Sequence, residues 1–214
     1  MTLIVHGWGF SPYVRAVRAA LNEKAVPHEH RDMTPADLAD AGFRAISPFG
    51  KVPVLRHGDL ALSESIAILH YVEEAFPGPS LVPGEAAARA RMRMLLLGVS
   101  SYLYPAAVMG VFFQDAYVRA NGGTPDEAAV HAAAARTAPV LDALEAHWDG
   151  PWAVGEHLSL ADLLALPMVQ NLAMTAEGRG LLAARPRLSA WFDRAAARPS
   201  LRATERPIPL FGLA

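Results

Sequence analysis

The chain of 214 residues contains no cysteine. That excludes disulfides, thiolate metal sites and a protein-borne thiol nucleophile, and it leaves the redox compartment open. A strong imbalance of charge is also missing: 19 basic against 21 acidic side chains leave a net charge of −2. Without a basic run, a nucleic-acid partner is not expected. The histidines His6, His57, His70, His131 and His147 show no metal-ligand spacing, so no metal is expected. No basic-then-apolar leader precedes the first strand-like run, which makes the cytoplasm the expected compartment. Hydrophobic residues, by contrast, make up 52% of the chain, enough for a sizeable core in a helix-rich globular protein.

One apolar run is long. Met94 to Phe113 carries no charge and follows Arg89, Arg91 and Arg93. Length alone makes it a transmembrane candidate with a basic anchor. Gly98, Ser100, Ser101, Pro105 and Gly110 dilute and interrupt it. Burial inside the protein or at a subunit interface is therefore the expectation, with no membrane partner.

The stretch Ser47-Pro-Phe-Gly-Lys-Val-Pro-Val-Leu55 sets two prolines and a glycine in a run that otherwise suits a strand. Proline cannot donate to a β ladder, so Pro53 belongs at a strand start, an edge or a bulge. A cis Val52–Pro53 bond would turn the N–H and C=O of Val52 outward, ready to pair with an extended peptide. An ordinary turn before a hairpin is the simpler alternative. Upstream, Leu3 to Trp8 reads as a buried strand, and Tyr13 to Leu21 has helical spacing. Val26 to Arg31 supplies a second strand, and Thr34-Pro35 opens a short helix. Downstream, Pro53 to Leu62 reads as a hairpin and 63–75 as a helix, with Ser63 able to cap it.

Beyond Phe76-Pro-Gly-Pro-Ser80 no strand is evident. Glu85 to Gln114 reads as one long helix with a kink at Pro105, and Asn121-Gly-Gly123 breaks it. Thr124-Pro-Asp-Glu127 has both capping-box residues, with proline at the first helical position, for a helix running to Trp148. Ser159-Leu-Ala-Asp162 and Pro186 open two more helices.

The order β-α-β-(α)-β-β-α, with Ser11-Pro-Tyr13, Lys51-Val-Pro53 and Glu64-Ser65 at its junctions, resembles the thioredoxin-like domain of the glutathione S-transferases. The likeness is nearest to the serine-type classes, bacterial, tau- and phi-like, and it extends to the end of the chain. It implies an α/β thioredoxin-like domain with a mixed four-stranded sheet over 1–78, a linker over 79–84 and an all-helical domain over 85–214. Gly155 to Asp162 looks like the family's helical-domain capping motif, whose role is folding.

The resemblance also assigns roles. Ser11 would donate to the thiolate of bound glutathione, the co-substrate, although serine before proline is also what an ordinary N-cap looks like. Ser65 would hold the γ-glutamyl carboxylate, Glu64 the α-amine and Lys51 the glycyl carboxylate; Val52, before Pro53, would pair with the cysteinyl unit. Phe10, Tyr13, Tyr104, Val108 and Phe112 would line the hydrophobic-substrate site. The family's tyrosine-type position falls among His6, Gly7 and Trp8, and the cysteine-type classes are ruled out at Ser11. The implied activity is attack of glutathione on an electrophilic apolar small molecule, a detoxification chemistry, by a cytoplasmic homodimer. The same site could run isomerisation, dehalogenation or ether cleavage, and a non-catalytic binding or assembly protein on this scaffold is the rival reading.

Overall fold

The computed structural model describes residues 2–210, and its contacts divide the chain into two compact units. Of the described residues, the first takes 2–81 together with Arg198–Pro207; the second takes Val82–Ala197 and 208–210.

In the first unit the elements run β1 (Leu3–His6), α1 (Pro12–Glu23), β2 (Glu29–Arg31), a 3₁₀ helix (Pro35–Ala39), α2 (Ala41–Ile46), β3 (Val54–His57), β4 (Leu60–Ser63) and α3 (Ser65–Ala75). The strands form one mixed sheet in the order β2-β1-β3-β4, the thioredoxin-like arrangement. β1 runs parallel to β2, with Val5 opposite His30, and antiparallel to β3, with Val5 opposite Leu55. A two-residue loop joins β3 to β4; Gly58 takes the first loop position with φ +61°, a value that primed hairpin turns require. Side chains alternate across the sheet. Val5 and Leu55 are fully buried on one face, as are Val14, Val17 and Leu21 of α1 and Ile68, Leu69 and Val72 of α3, helices that pack on each other. Val54 points to the other face and packs with Met33 and Phe43, flanked by Trp8, Leu38, Ile46 and Val52. Each fully buried Val, Leu or Ile contributes about 1.5–3 kcal/mol, so the two-faced pattern fixes the register.

The tail corrects the expectation that everything from 85 onward is one helical domain. Arg198–Pro207 groups with the first unit, and it includes the short helix α10 (Pro199–Arg202). Arg198 grips Glu23 of α1 in a fork, Nε at 2.7 Å and Nη2 at 2.6 Å, and Asn22 Nδ2 donates to Ser200 O at 3.0 Å. Burial pushes the Glu23 carboxyl up, but the bonds from Arg198 and Ser200 outweigh it and hold it below the usual range.

The second unit contains α4 (Ala86–Gly98), a π-helical stretch (Val99–Phe112), α5 (Ala116–Ala120), α6 (Glu127–His147), α7 (Leu160–Ala173), α8 (Ala176–Ala183) and α9 (Pro186–Ala196). The expected long helix is continuous, but its winding loosens right after Gly98 and stays so past Pro105, which has no N–H to give. By length and composition Ala86–Phe112 could cross a bilayer; 44% of its most apolar window is buried within the protein. There Met92, Leu95, Leu96, Val99 and Leu103 pack in a core shared with α6 and α7. Its outer side leaves Met94, Leu97, Tyr102 and Met109 exposed. The start of α6 also differs from expectation. Asp126, not Thr124, is the N-cap and accepts from Ala129 N at 3.1 Å, so Pro125 lies outside the helix.

Candidate active site

The register places the predicted glutathione contacts at one end of the sheet. His6, Val54 and Ser63 lie in line across β1, β3 and β4. The next residue outward on each strand is Gly7, Pro53 and Glu64 respectively. Gly7 has φ +148°, and a Cβ there would stand 2.4 Å from Val14 Cγ2 and 3.0 Å from Val52 Cβ. Only glycine lets α1 and the loop before β3 close on the end of β1. Sequence reasoning missed this role, because the partners are distant in the chain; its one signal was a glycine directly after a buried strand.

Ser11 precedes α1, with Pro12 at the first helical position. Its main chain is occupied: Ser11 N donates to Trp8 O at 2.9 Å and Arg15 N donates to Ser11 O at 2.9 Å. Its hydroxyl is not used as a cap. The simple N-cap reading therefore accounts for the backbone of Ser11 and leaves the half-buried Oγ to other uses.

The Val52–Pro53 bond is cis. Among the described residues, neither the N–H nor the C=O of Val52 finds a hydrogen-bond partner in the protein. The preceding loop is closed by Ser47, a fully buried residue that the sequence did not single out. Its Oγ donates to Lys51 O at 2.8 Å and accepts from Lys51 N at 3.0 Å. Lys51 thus has a fixed backbone and an exposed side chain.

Glu64 is the N-cap residue of α3, with φ +70° and ψ 108°, a conformation that costs a side-chain-bearing residue about 1–3 kcal/mol. Ser63 belongs to β4 and pairs with Val54, so it does not cap this helix. Ser65, only 8% exposed, opens the helix, and its hydroxyl has no partner among the described residues. Unpaired N–H groups at a helix start favour a carboxylate.

The residues read as hydrophobic-substrate contacts divide. In the first unit Phe10 is 7% exposed and Tyr13 half-buried. In the second, Tyr104 is half-buried, and burial pushes its hydroxyl above the usual tyrosine range. Val108 and Phe112 are fully buried, Phe112 edge-on to Phe113 at 5.2 Å. They present no surface to a ligand and act as core. None of these residues borders the apolar groove of about 310 Å³ lined by Met94, Tyr102 and Val140, or the polar cavity of about 510 Å³ lined by His6, Arg31 and Arg56.

Comparison with known proteins agrees with the fold. The family model described as glutathione S-transferase, N-terminal domain, matches residues 5–80, and that of the C-terminal domain matches residues 127–194. The chain belongs to the glutathione S-transferase family, a class of transferase enzymes. Glutathione S-transferase 3 of Zea mays is 34% identical over 97% of this chain and 95% of its own length. A probable maleylacetoacetate isomerase of Vibrio cholerae is 30% identical over 80% of this chain and 81% of its own. The solved structure of glutathione S-transferase III in its apo form superposes with a TM-score of 0.85 at 34% identity, covering 100% of both chains.

Proposed function

We propose that this glutathione transferase holds glutathione against the end of the sheet and uses Ser11 to stabilise its thiolate. A free thiol ionises at about pH 8.5; a hydroxyl donating to the sulfur and a nearby helix N-terminus favour the anion. The sulfur then forms a bond to an electrophilic carbon of an apolar small molecule, and any leaving group departs with the displaced electron pair. Val52 pairs its main chain with the cysteinyl unit beside Pro53. Ser65 and the α3 N–H groups take the γ-glutamyl carboxylate, Glu64 the α-amine and Lys51 the glycyl carboxylate. The observation that supports the reading is that the Ser11 hydroxyl, the Val52 main-chain pair and the Ser65 hydroxyl all lack a partner among the described residues. Catalysis then comes from positioning and thiolate stabilisation.

Calorimetric titration with glutathione, paired with ultraviolet absorbance of the bound thiolate, tests this. Ser11→Ala is expected to keep binding and lose most thiolate at neutral pH; equal thiolate in both proteins removes Ser11 from the mechanism. Binding without turnover of any electrophile would favour the non-catalytic reading instead.

The likeness to the Vibrio cholerae protein favours a second reading, glutathione-dependent isomerisation. There the sulfur adds to a cis double bond and leaves again after rotation, so glutathione is not consumed. Assay of maleylacetoacetate against a chlorinated aromatic electrophile separates the two. The exposed stripe Met94, Leu97 and Tyr102, beside the apolar groove, supports the inference of a homodimer. The cytoplasm remains the expected location.

A further inference from the structure

Side chains from the edge strand hold the loop that carries Ser11. Gly7 N extends the β1–β2 ladder to Arg31 O at 3.1 Å. His30 Nε2 lies 2.9 Å from Gly7 O, so this nitrogen carries the proton and donates. Two residues further on, Gly9 N donates to Asp32 Oδ1 at 2.8 Å, and the same oxygen accepts from Met33 N at 3.1 Å. A methyl at Gly9 would meet His30 Cε1 at 3.1 Å and Arg206 Cγ at 3.2 Å, so the loop backbone lies tight against this group. Ser11 N then closes on Trp8 O. Residues 30 and 32 share one side of an extended segment, and together they grip the loop at both of its first glycines.

We propose that His30 and Asp32 are positioning residues for the glutathione reaction, setting the place of the Ser11 hydroxyl by clamping Gly7 and Gly9. The inference rests on the thiolate reading above. Neither side chain touches the reacting atoms. A sign argument separates the clamp from plain electrostatics. A carboxylate acting through space disfavours a nearby thiolate, so deleting Asp32 would by charge alone make the bound thiol ionise more easily. Loss of the clamp makes it ionise less easily.

The test is a pH titration of bound glutathione by thiolate absorbance, with kcat and KM, in wild type, Asp32→Ala, Asp32→Asn, His30→Leu and Ser11→Ala. Asp32→Ala is expected to raise the ionisation midpoint by about one pH unit, a several-fold loss of thiolate at neutral pH that approaches about tenfold at lower pH. It should lower kcat about as much, with KM for glutathione within about threefold, and the loss should vanish above about pH 9. Asp32→Asn retains an oxygen acceptor for Gly9 N and is expected to restore the wild-type midpoint. His30→Leu should shift it as Asp32→Ala does, and it carries the test should Asp32→Ala fail to fold. A midpoint unchanged or lowered in folded Asp32→Ala and His30→Leu, with Ser11→Ala raised, overturns the clamp alone. A midpoint unmoved in Ser11→Ala overturns the thiolate reading and the clamp with it.

Discussion

Asp162 offers the sharpest test of what holds the helical unit together. Its side chain is fully buried. Oδ1 accepts from Ala153 N at 2.7 Å and from Trp191 Nε1 at 2.8 Å; Oδ2 accepts from Ser159 N at 2.8 Å and Ser159 Oγ at 2.7 Å. Burial lifts its carboxyl above the usual aspartate range, against the pull of those bonds from Ala153, Ser159 and Trp191. Asp162→Ala strands three buried N–H groups, each costing about 1–3 kcal/mol, for roughly 5 kcal/mol together. Asp162→Asn behaves differently. Its oxygen can keep Ala153 and Trp191, the Ser159 hydroxyl can turn to accept, and only Ser159 N–H is lost. Relief from the buried charge offsets part of that, leaving a cost of about 1–2 kcal/mol. Urea unfolding followed by tryptophan fluorescence reads both, because Trp191 donates to Asp162 and lies 4.9 Å from Trp148, ring to ring. Equal losses for the two variants, or an alanine cost below about 1 kcal/mol, would refute the view that the carboxylate is the organising acceptor.

Other consequences are as direct. Gly7→Ala drives a methyl into Val14 and Val52, so glutathione affinity should fall by roughly tenfold or more in calorimetry; unchanged affinity would mean the junction is soft. His6, His28 and His30 are each held below the ordinary histidine value, burial being the largest cause. Each takes up a proton less readily folded than unfolded. Their contribution is therefore present above about pH 6.5 and lost as pH falls through the folded values, and melting temperature should drop on that side. Replacing exposed Leu97 and Tyr102 together with lysine should halve the sedimenting mass; a monomeric wild type at micromolar concentration would end the dimer inference.

The element order was readable from local chemistry. Pro12 and Ser11 mark a helix start, and Gly58 marks the hairpin. The run Leu3 to Trp8 reads as a buried strand, and within it Leu3, Val5 and His6 of β1 are buried. What escaped depends on contacts between distant residues. Ser11 before proline looks the same whether its hydroxyl caps a helix or is left to a ligand, since the rotamer is set by the tertiary setting. The burial of Val108 and Phe112 follows from how the π-helical stretch meets α6 and α7, which no local periodicity states. Ser47 reads as a polar loop residue until its hydroxyl is seen bridging both main-chain groups of Lys51. At α6, Thr124 and Asp126 both suit a cap, and the acidic one prevails.

The fork between Arg198 and Glu23 has a bearing on how the molecule must be made. A ribosome finishes the sheet and its helices long before it reaches residue 198, so the Glu23 carboxylate on α1 waits without its cation while more than a hundred residues emerge. A fragment cut at Leu81 would lack that partner permanently. The N-terminal unit is thus the first to be synthesised and among the last to be finished.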